Sequence, residues 1–259
     1  MQFEKHRKAR KIFEEIDKNP SNYLIIHYSC ESFYDIEDGH TPRVTSIAAY
    51  SYSTGQTESF SMHKTAERRG IPFNAIEQNY DDLERSMLDE FYEYVNEHKT
   101  LNWIHWNMRD INYGFKAIEH RYQVLGGKPS IINDSNRIDL ARLLKDCYGD
   151  SYAEHPRIPK LLEQNGIKAK DFLTGQEEAE AFRSKEYIKL HQSTLRKVSE
   201  FACILDRAIN NKLTVRTKWS DIYGLSPQGI FEYLRNKWWV QILLFIIGLI
   251  LGAIVGKFI

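Results

Sequence analysis

Cysteine is scarce in this chain. Cys30, Cys147 and Cys203 are the only three in 259 residues, and they are scattered without metal-ligand spacing. That argues against a disulfide scaffold and a cysteine-held metal cluster, and it predicts buried free thiols in a reducing compartment. An excess of charge of either sign is also missing: 35 basic and 35 acidic side chains leave a formal net charge of +0. Neutrality argues neither for nor against a nucleic-acid partner. No low-complexity stretch and no internal repeat is found, so neither a disordered chain nor a repeat array is expected. A cleavable leader is not expected either, because the start, MQFEKHRKARKIF, is charged and has no apolar core.

What the sequence does have is one long hydrophobic run. From Trp238 it reads WWVQILLFIIGLILGAIVGKFI, and between Val240 and Gly256 the sole polar side chain is Gln241. Roughly 19 helical residues span about 28 Å, close to the hydrocarbon thickness of a bilayer. A single transmembrane helix over 238–259 is expected; the competing reading is a buried core helix. Trp238 and Trp239 suit the headgroup level. Arg235 and Lys237 precede the run and only Lys257 follows the span, so the positive-inside bias places the large N-terminal part in the cytoplasm. The expected layout is a tail-anchored, single-pass membrane protein. Gly248, Gly252 and Gly256 recur every four residues, on one helix face where two backbones can approach. A homo-oligomer formed through the membrane helix is the expected consequence.

The remainder divides into a basic N-terminal helix (1–19), one globular domain (20–212) and a connector with a juxtamembrane helix (213–237). Periodicity predicts an exposed helix over 2–18 and a buried strand over 23–28. Strands over 43–52 and 57–62 are joined by the turn Ser53-Thr54-Gly55-Gln56. A helix over 81–98, a strand over 101–106 and a helix over 114–125 follow. Further helices are expected over 137–148 and 158–165, with one or two between 177 and 210. Trp103, His105 and Trp106 lie on a strand and are expected in the core. Ser226-Pro227 suits the start of an amphipathic helix leading into the tail. This order is an α/β layout with a mixed sheet flanked by helices. Basic residues concentrate at 5–11 and 183–218, where they suit phosphates, anionic lipid or simply a solvated helix face.

Several segments match one motif frame in order and spacing. The strand LIIHY runs into Ser29-Cys30-Glu31-Ser32, and RVTSIAAY (43–50) follows, then Ser53-Thr54-Gly55-Gln56 and Phe60. Asn107-Met108-Arg109-Asp110-Ile111-Asn112-Tyr113-Gly114-Phe115 comes next, then Ile138-Asp139-Leu140-Ala141-Arg142, IPKLLEQNGI (158–167) and His191 to Arg196. Over residues 20–210 this resembles the DEDDh-type 3′–5′ exonucleases, a family with the ribonuclease H-like fold. The resemblance implies four acids holding two divalent cations, Mg2+ or Mn2+, and a histidine as general base. Of the four acids only Glu31 is present. Ser29, Asn112 and Arg196 stand at the other three positions, and His191 stands at that of the histidine.

Those exchanges remove three negative charges and add a positive one, which a two-cation site does not tolerate. The resemblance therefore implies a catalytically degenerate domain that needs no cofactor. Asp110 is the substitute acid if the frame shifts by two residues; if 110–112 is extended, Asp110 and Asn112 share a face. The cluster Asp35, Glu37 and Asp38 reads as a solvated turn. Arg196 with Ser29, Asn112 and His191 either holds a phosphate without metal or pairs with Glu31 across the old cleft. Three functions follow. One is a nucleic-acid or nucleotide binding and signalling module coupled to membrane-helix association, a layout that in a bacterium would suit a defence effector. The others are an active membrane-tethered exonuclease using Glu31 and His191, and a protein-interaction scaffold.

Overall fold

A computed structural model of the chain describes residues 2–31, 41–168, 170–224, 227–235 and 237–255. Asp35, Glu37, Asp38, Ser226 and Gly256, singled out above, lie outside them. Strand β1 (Tyr23–Cys30) is rich in β-branched and aromatic residues and is buried along its whole length, which makes it the centre of the sheet. It pairs antiparallel with β2 (Val44–Ser51) and parallel with β4 (Asn102–His105). β2 carries β3 (Thr57–Ser61) antiparallel, and β4 carries β5 (Arg137–Asp139) parallel. The order is β3-β2-β1-β4-β5, a five-stranded mixed sheet.

Alternation along β1 separates two cores. Leu24, Ile26 and Tyr28 face one side, packed with α2 (Met62–Arg68), α3 (Tyr80–His98) and α4 (Phe115–Val124). Tyr23 and Ile25 face the other, packed with α1 (Gln2–Lys18), α5 (Leu140–Tyr148), α6 (Arg157–Gln164) and α8 (Tyr187–Ile209). α7 (Gly175–Arg183) precedes α8 and opens on a capping box, in which Thr174 and Glu177 satisfy each other's backbone amides. Two residues in the second face of β1, His27 and Ser29, are polar and buried.

Trp103, His105 and Trp106 are buried in or beside β4, as expected. The three cysteines form no disulfide among the described residues; Cys30 and Cys147 are buried and Cys203 is half-buried. The expectation of an exposed helix over 2–18 is corrected. Ala9, Phe13 and Ile16, at helical spacing, are buried against α5 and α8, and only the other face meets solvent. The helix expected over 137–148 begins later, because Asp139 ends β5 and caps α5, its carboxylate accepting from the amides of Ala141 (3.0 Å) and Arg142 (3.3 Å). The segment 214–226 contains the short helix α9 (Trp219–Tyr223).

α10 (Pro227–Arg235) leads to α11 (Trp238–Val255), 18 residues or about 27 Å of helix. Among the described residues no helix is long and apolar enough to cross a membrane. α11 is not a buried core helix either, since its side chains from Ile242 to Ile247 are 43–68 % exposed around the helix. Gly248 has open space where a Cβ would stand, and Gly252 lies within the same helix.

Phe13→Ala tests the corrected role of α1. The side chain is fully buried, so its truncation costs about 3 kcal/mol or more, read as a lower urea midpoint. A helix lying free on the surface would show no change.

Candidate functional site: a cleft closed by its own ion pair

At the C-terminal end of β1 the chain has buried an ion pair. The Lys197 ammonium of α8 lies 2.7 Å from Glu178 Oε1 of α7, with the two side chains 6 % and 0 % exposed. The same oxygen accepts from Ser29 Oγ (2.9 Å) and Ser193 Oγ (3.1 Å). Ser29 also meets Thr194 Oγ1 at 2.7 Å, and Thr194 donates to the Leu190 carbonyl one turn back (2.9 Å). The two hydroxyls of Ser29 and Thr194 have two protons for three contacts, so one contact at a time lacks a proton. Glu178 Oε2 is buried with no partner. The ammonium also stands 5.2 Å over the Phe172 ring.

The local sequence explains the placement. Leu190, Thr194, Val198 and Phe201 form the sheet-facing stripe of α8, and all are buried. Three residues beyond Thr194, Lys197 is turned about 60° from it and points into the cleft. Two residues beyond, Arg196 is turned about 160° and points away. Arg196 accordingly bonds Glu200 Oε1 (3.2 Å) and the Lys168 carbonyl. Neither expectation for Arg196, a phosphate fork beside Ser29 or a pair with Glu31, matches that position.

The other residues of the motif frame are also apart. Glu31 is half-buried beside the start of β2, its carboxylate near the Arg43 amide (3.4 Å) and its own amide on the Arg43 carbonyl (2.8 Å). Asp110 and Asn112 are exposed in a folded loop rather than an extended stretch. The Asp110 carboxylate accepts from the Asn112 amide (2.8 Å), a turn closed on itself. Gly114 permits that fold, with φ of 154° and a backbone so close that a Cβ would sit 2.5 Å from the Met108 carbonyl oxygen. His191 is buried under β2, its Nδ1 paired with Ser46 Oγ (2.8 Å) and its ring edge-on to His63 at 5.1 Å. Burial, then Lys64 and His63, push its pKa down to about 3, so it is neutral.

These residues do not fit a pair of divalent cations. The one fully buried carboxylate of the cleft is already held by an ammonium and two hydroxyls, and Glu31 and Asp110 face elsewhere. A cation beside Glu178 would meet Lys197 at contact distance in a dry site. Among the described residues no group of three or more histidine, cysteine or acidic side chains is placed to hold a metal. Glu178 and Lys197 escaped the motif frame. Their signal was their phase: each is a charge set among the buried positions of an amphipathic helix.

A second hollow, about 430 Å³, opens beyond the C-terminal ends of β4 and β5. Ligands of open α/β sheets bind outside such ends. Arg109, Lys116, Arg137 and Arg142 line it with His105, Phe115 and Asp139. Arg109 Nε is 2.6 Å from Asp139 Oδ2, though out of line for a hydrogen bond. Arg137 lies over Phe115 (4.6 Å) and pairs with Glu119 (3.0 Å) and Asp134 (3.1 Å). Lys116 and Arg142 are exposed and make no ion pair among the described residues. His105 accepts from the Met108 amide (3.1 Å), and burial lowers its pKa to about 4 against the pull of Asp139. The hollow thus offers two unpaired cations, a neutral imidazole and a ring face, a set suited to an anionic, ring-bearing ligand.

Two predictions follow from the cleft. Lys197→Met strands the Glu178 carboxylate and lowers stability by about 3–5 kcal/mol, and Lys197→Met with Glu178→Leu recovers most of that, both read from urea unfolding. The second concerns His191. Unfolded, it takes up a proton near its ordinary 6.5; folded, near 3. Between those values the unfolded chain binds more protons, so stability present above pH 6.5 is lost as pH falls, by up to about 1.4 kcal/mol per unit. His191→Gln flattens that slope in unfolding midpoints measured from pH 6.5 to pH 4. No family model, curated protein or solved structure matches this chain, so its functional reading rests on these residues.

Proposed function

We propose that the chain is a tail-anchored, single-pass membrane protein. Its cytoplasmic, ribonuclease H-like head has lost two-metal catalysis and binds a nucleotide or a nucleic-acid end. Binding is coupled to association of the membrane helices. The observation that carries this reading is the Lys197 ammonium seated on Glu178 beside Ser29. A fixed internal cation beside Ser29 supports the loss of two-metal chemistry, since the exonuclease resemblance calls for a metal ligand at that position.

Three further features support it. The antiparallel β3-β2-β1 ribbon that continues into parallel β4 and β5 is compatible with a ribonuclease H-like sheet. The basic hollow beyond β4 and β5 supplies Lys116 and Arg142 for phosphate and Phe115 for a ring. Apart from Gln241 the described side chains of α11 are apolar, and those from Ile242 to Leu249 are exposed, which suits hydrocarbon; open space at Gly248 suits a second copy of the helix.

The test uses the full chain in detergent. Labelled single-stranded DNA and RNA remain undigested with Mg2+ or Mn2+, while an oligonucleotide or nucleotide binds. Charge reversal at Lys116 and Arg142 together weakens that binding by about tenfold or more. Metal-dependent digestion that disappears in Glu31→Gln overturns the reading. So does a head that binds neither oligonucleotide nor nucleotide.

A further inference from the structure

A groove of about 700 Å³ runs between α1 and the segment that leads into α11. One wall is the solvent-facing side of α1, with Arg7, Arg10 and Lys11. The other carries Tyr223 at the end of α9, Tyr233 on α10 and Lys237, the residue before α11 begins. The walls are tied together by aromatic contacts. Phe3 meets Tyr223 at 5.8 Å, Tyr223 meets Tyr233 at 5.5 Å, and Tyr233 stacks on Trp219 at 4.9 Å. His6 fixes the floor: its Nδ1 donates to the Cys147 carbonyl (2.6 Å), which leaves Nε2 to accept from the Tyr223 hydroxyl (3.2 Å).

Four cations line the groove against one carboxylate, Glu14. They are not equally free. Arg10 is committed to the last carbonyls of α8, bonding Ala208 O (2.7 Å) and Ile209 O (3.0 Å). Arg7 pairs with Glu4 at 2.9 Å, an exposed pair that solvent weakens. Among the described residues neither Lys11 nor Lys237 makes an ion pair, and Lys237 lies over the Tyr233 ring at 4.9 Å. The groove therefore holds unneutralised positive charge with hydroxyl-bearing rings beside it, a set that fits a phosphate monoanion or diester.

Its position names the source of that phosphate. Lys237 immediately precedes the helix read as membrane-spanning, so the groove opens at the level where headgroups lie. We propose that this groove is a binding site for the phosphate of an anionic phospholipid, held by Lys11, Arg7 and Lys237, which fixes the head against the membrane surface. This rests on the membrane reading of α11. It is separate from the ligand hollow, whose Lys116 and Arg142 stand on α4 and α5.

The experiment uses the full chain in neutral detergent, with the melting temperature of the head as readout. Short-chain phosphatidylglycerol raises it by about 3 °C, and short-chain phosphatidylcholine does not. Arg7→Glu with Lys11→Glu abolishes the shift. Lys5→Glu with Lys8→Glu makes the same change of charge on exposed residues of α1 outside the groove, and it leaves the shift in place. Equal loss in both double variants overturns the site in favour of general attraction. An equal shift with inorganic phosphate alone overturns the lipid assignment. No shift with phosphatidylglycerol overturns the proposal outright. Flotation of the same protein with phosphatidylcholine vesicles at high salt tests the tail by itself. A chain that fails to float but keeps the phosphatidylglycerol shift loses its anchor and retains the groove.

Discussion

An ammonium taken out of water must have a carboxylate in contact, and the head is arranged around one such pair. Lys197 and Glu178 stand on consecutive helices, and Ser29 reaches them from the central strand. Their contact ties α7, α8 and β1 at the point where the sheet ends. Such a pair adds little stability over an apolar substitute, because desolvating both charges offsets their attraction. What it imposes is occupancy. With a fixed positive charge and two hydroxyl donors on Glu178 Oε1, the cleft has its cation built in. Glu31, Asp110 and Arg196 are then free to serve other contacts, as they do.

The sheet and most helices were legible in the sequence because they follow one-dimensional rules. LIIHY reads as a buried strand, and Leu83, Met87, Phe91 and Val95 read as one face of a helix. α1 was mistaken for a surface helix because its charges hid the stripe Ala9, Phe13 and Ile16. β5 was absorbed into the following helix, since three residues carry no periodicity and only the Asp139 cap marks the boundary. Of the residues in the motif frame, Ser29 lies at the end of β1 beside the buried pair. The frame's other positions lie apart from it, because a five-residue step from His191 does not hold one face of a helix. Arg196 turns out, and Lys197, one residue later, turns in. Nothing in the spacing alone reveals that Glu178 from another helix completes the knot.

Charge in this neutral chain is local. The hollow beyond β4 and β5 gathers Lys116 and Arg142, whereas the groove beside α11 gathers Arg7, Lys11 and Lys237. On the proposed reading, one basic surface serves a ligand and the other a membrane. α1 links them physically, since Ile12 lines the first and Arg7 and Lys11 the second.

The central claim is that the internal ammonium closes the cleft to divalent cations. Electron paramagnetic resonance of Mn2+ titrated into the full chain tests it most directly, because bound and free Mn2+ differ in line shape. The account predicts a spectrum of free Mn2+ throughout the titration, in the wild type and in Glu178→Gln alike. Stoichiometric Mn2+ binding in the wild type that is lost in Glu178→Gln would contradict it.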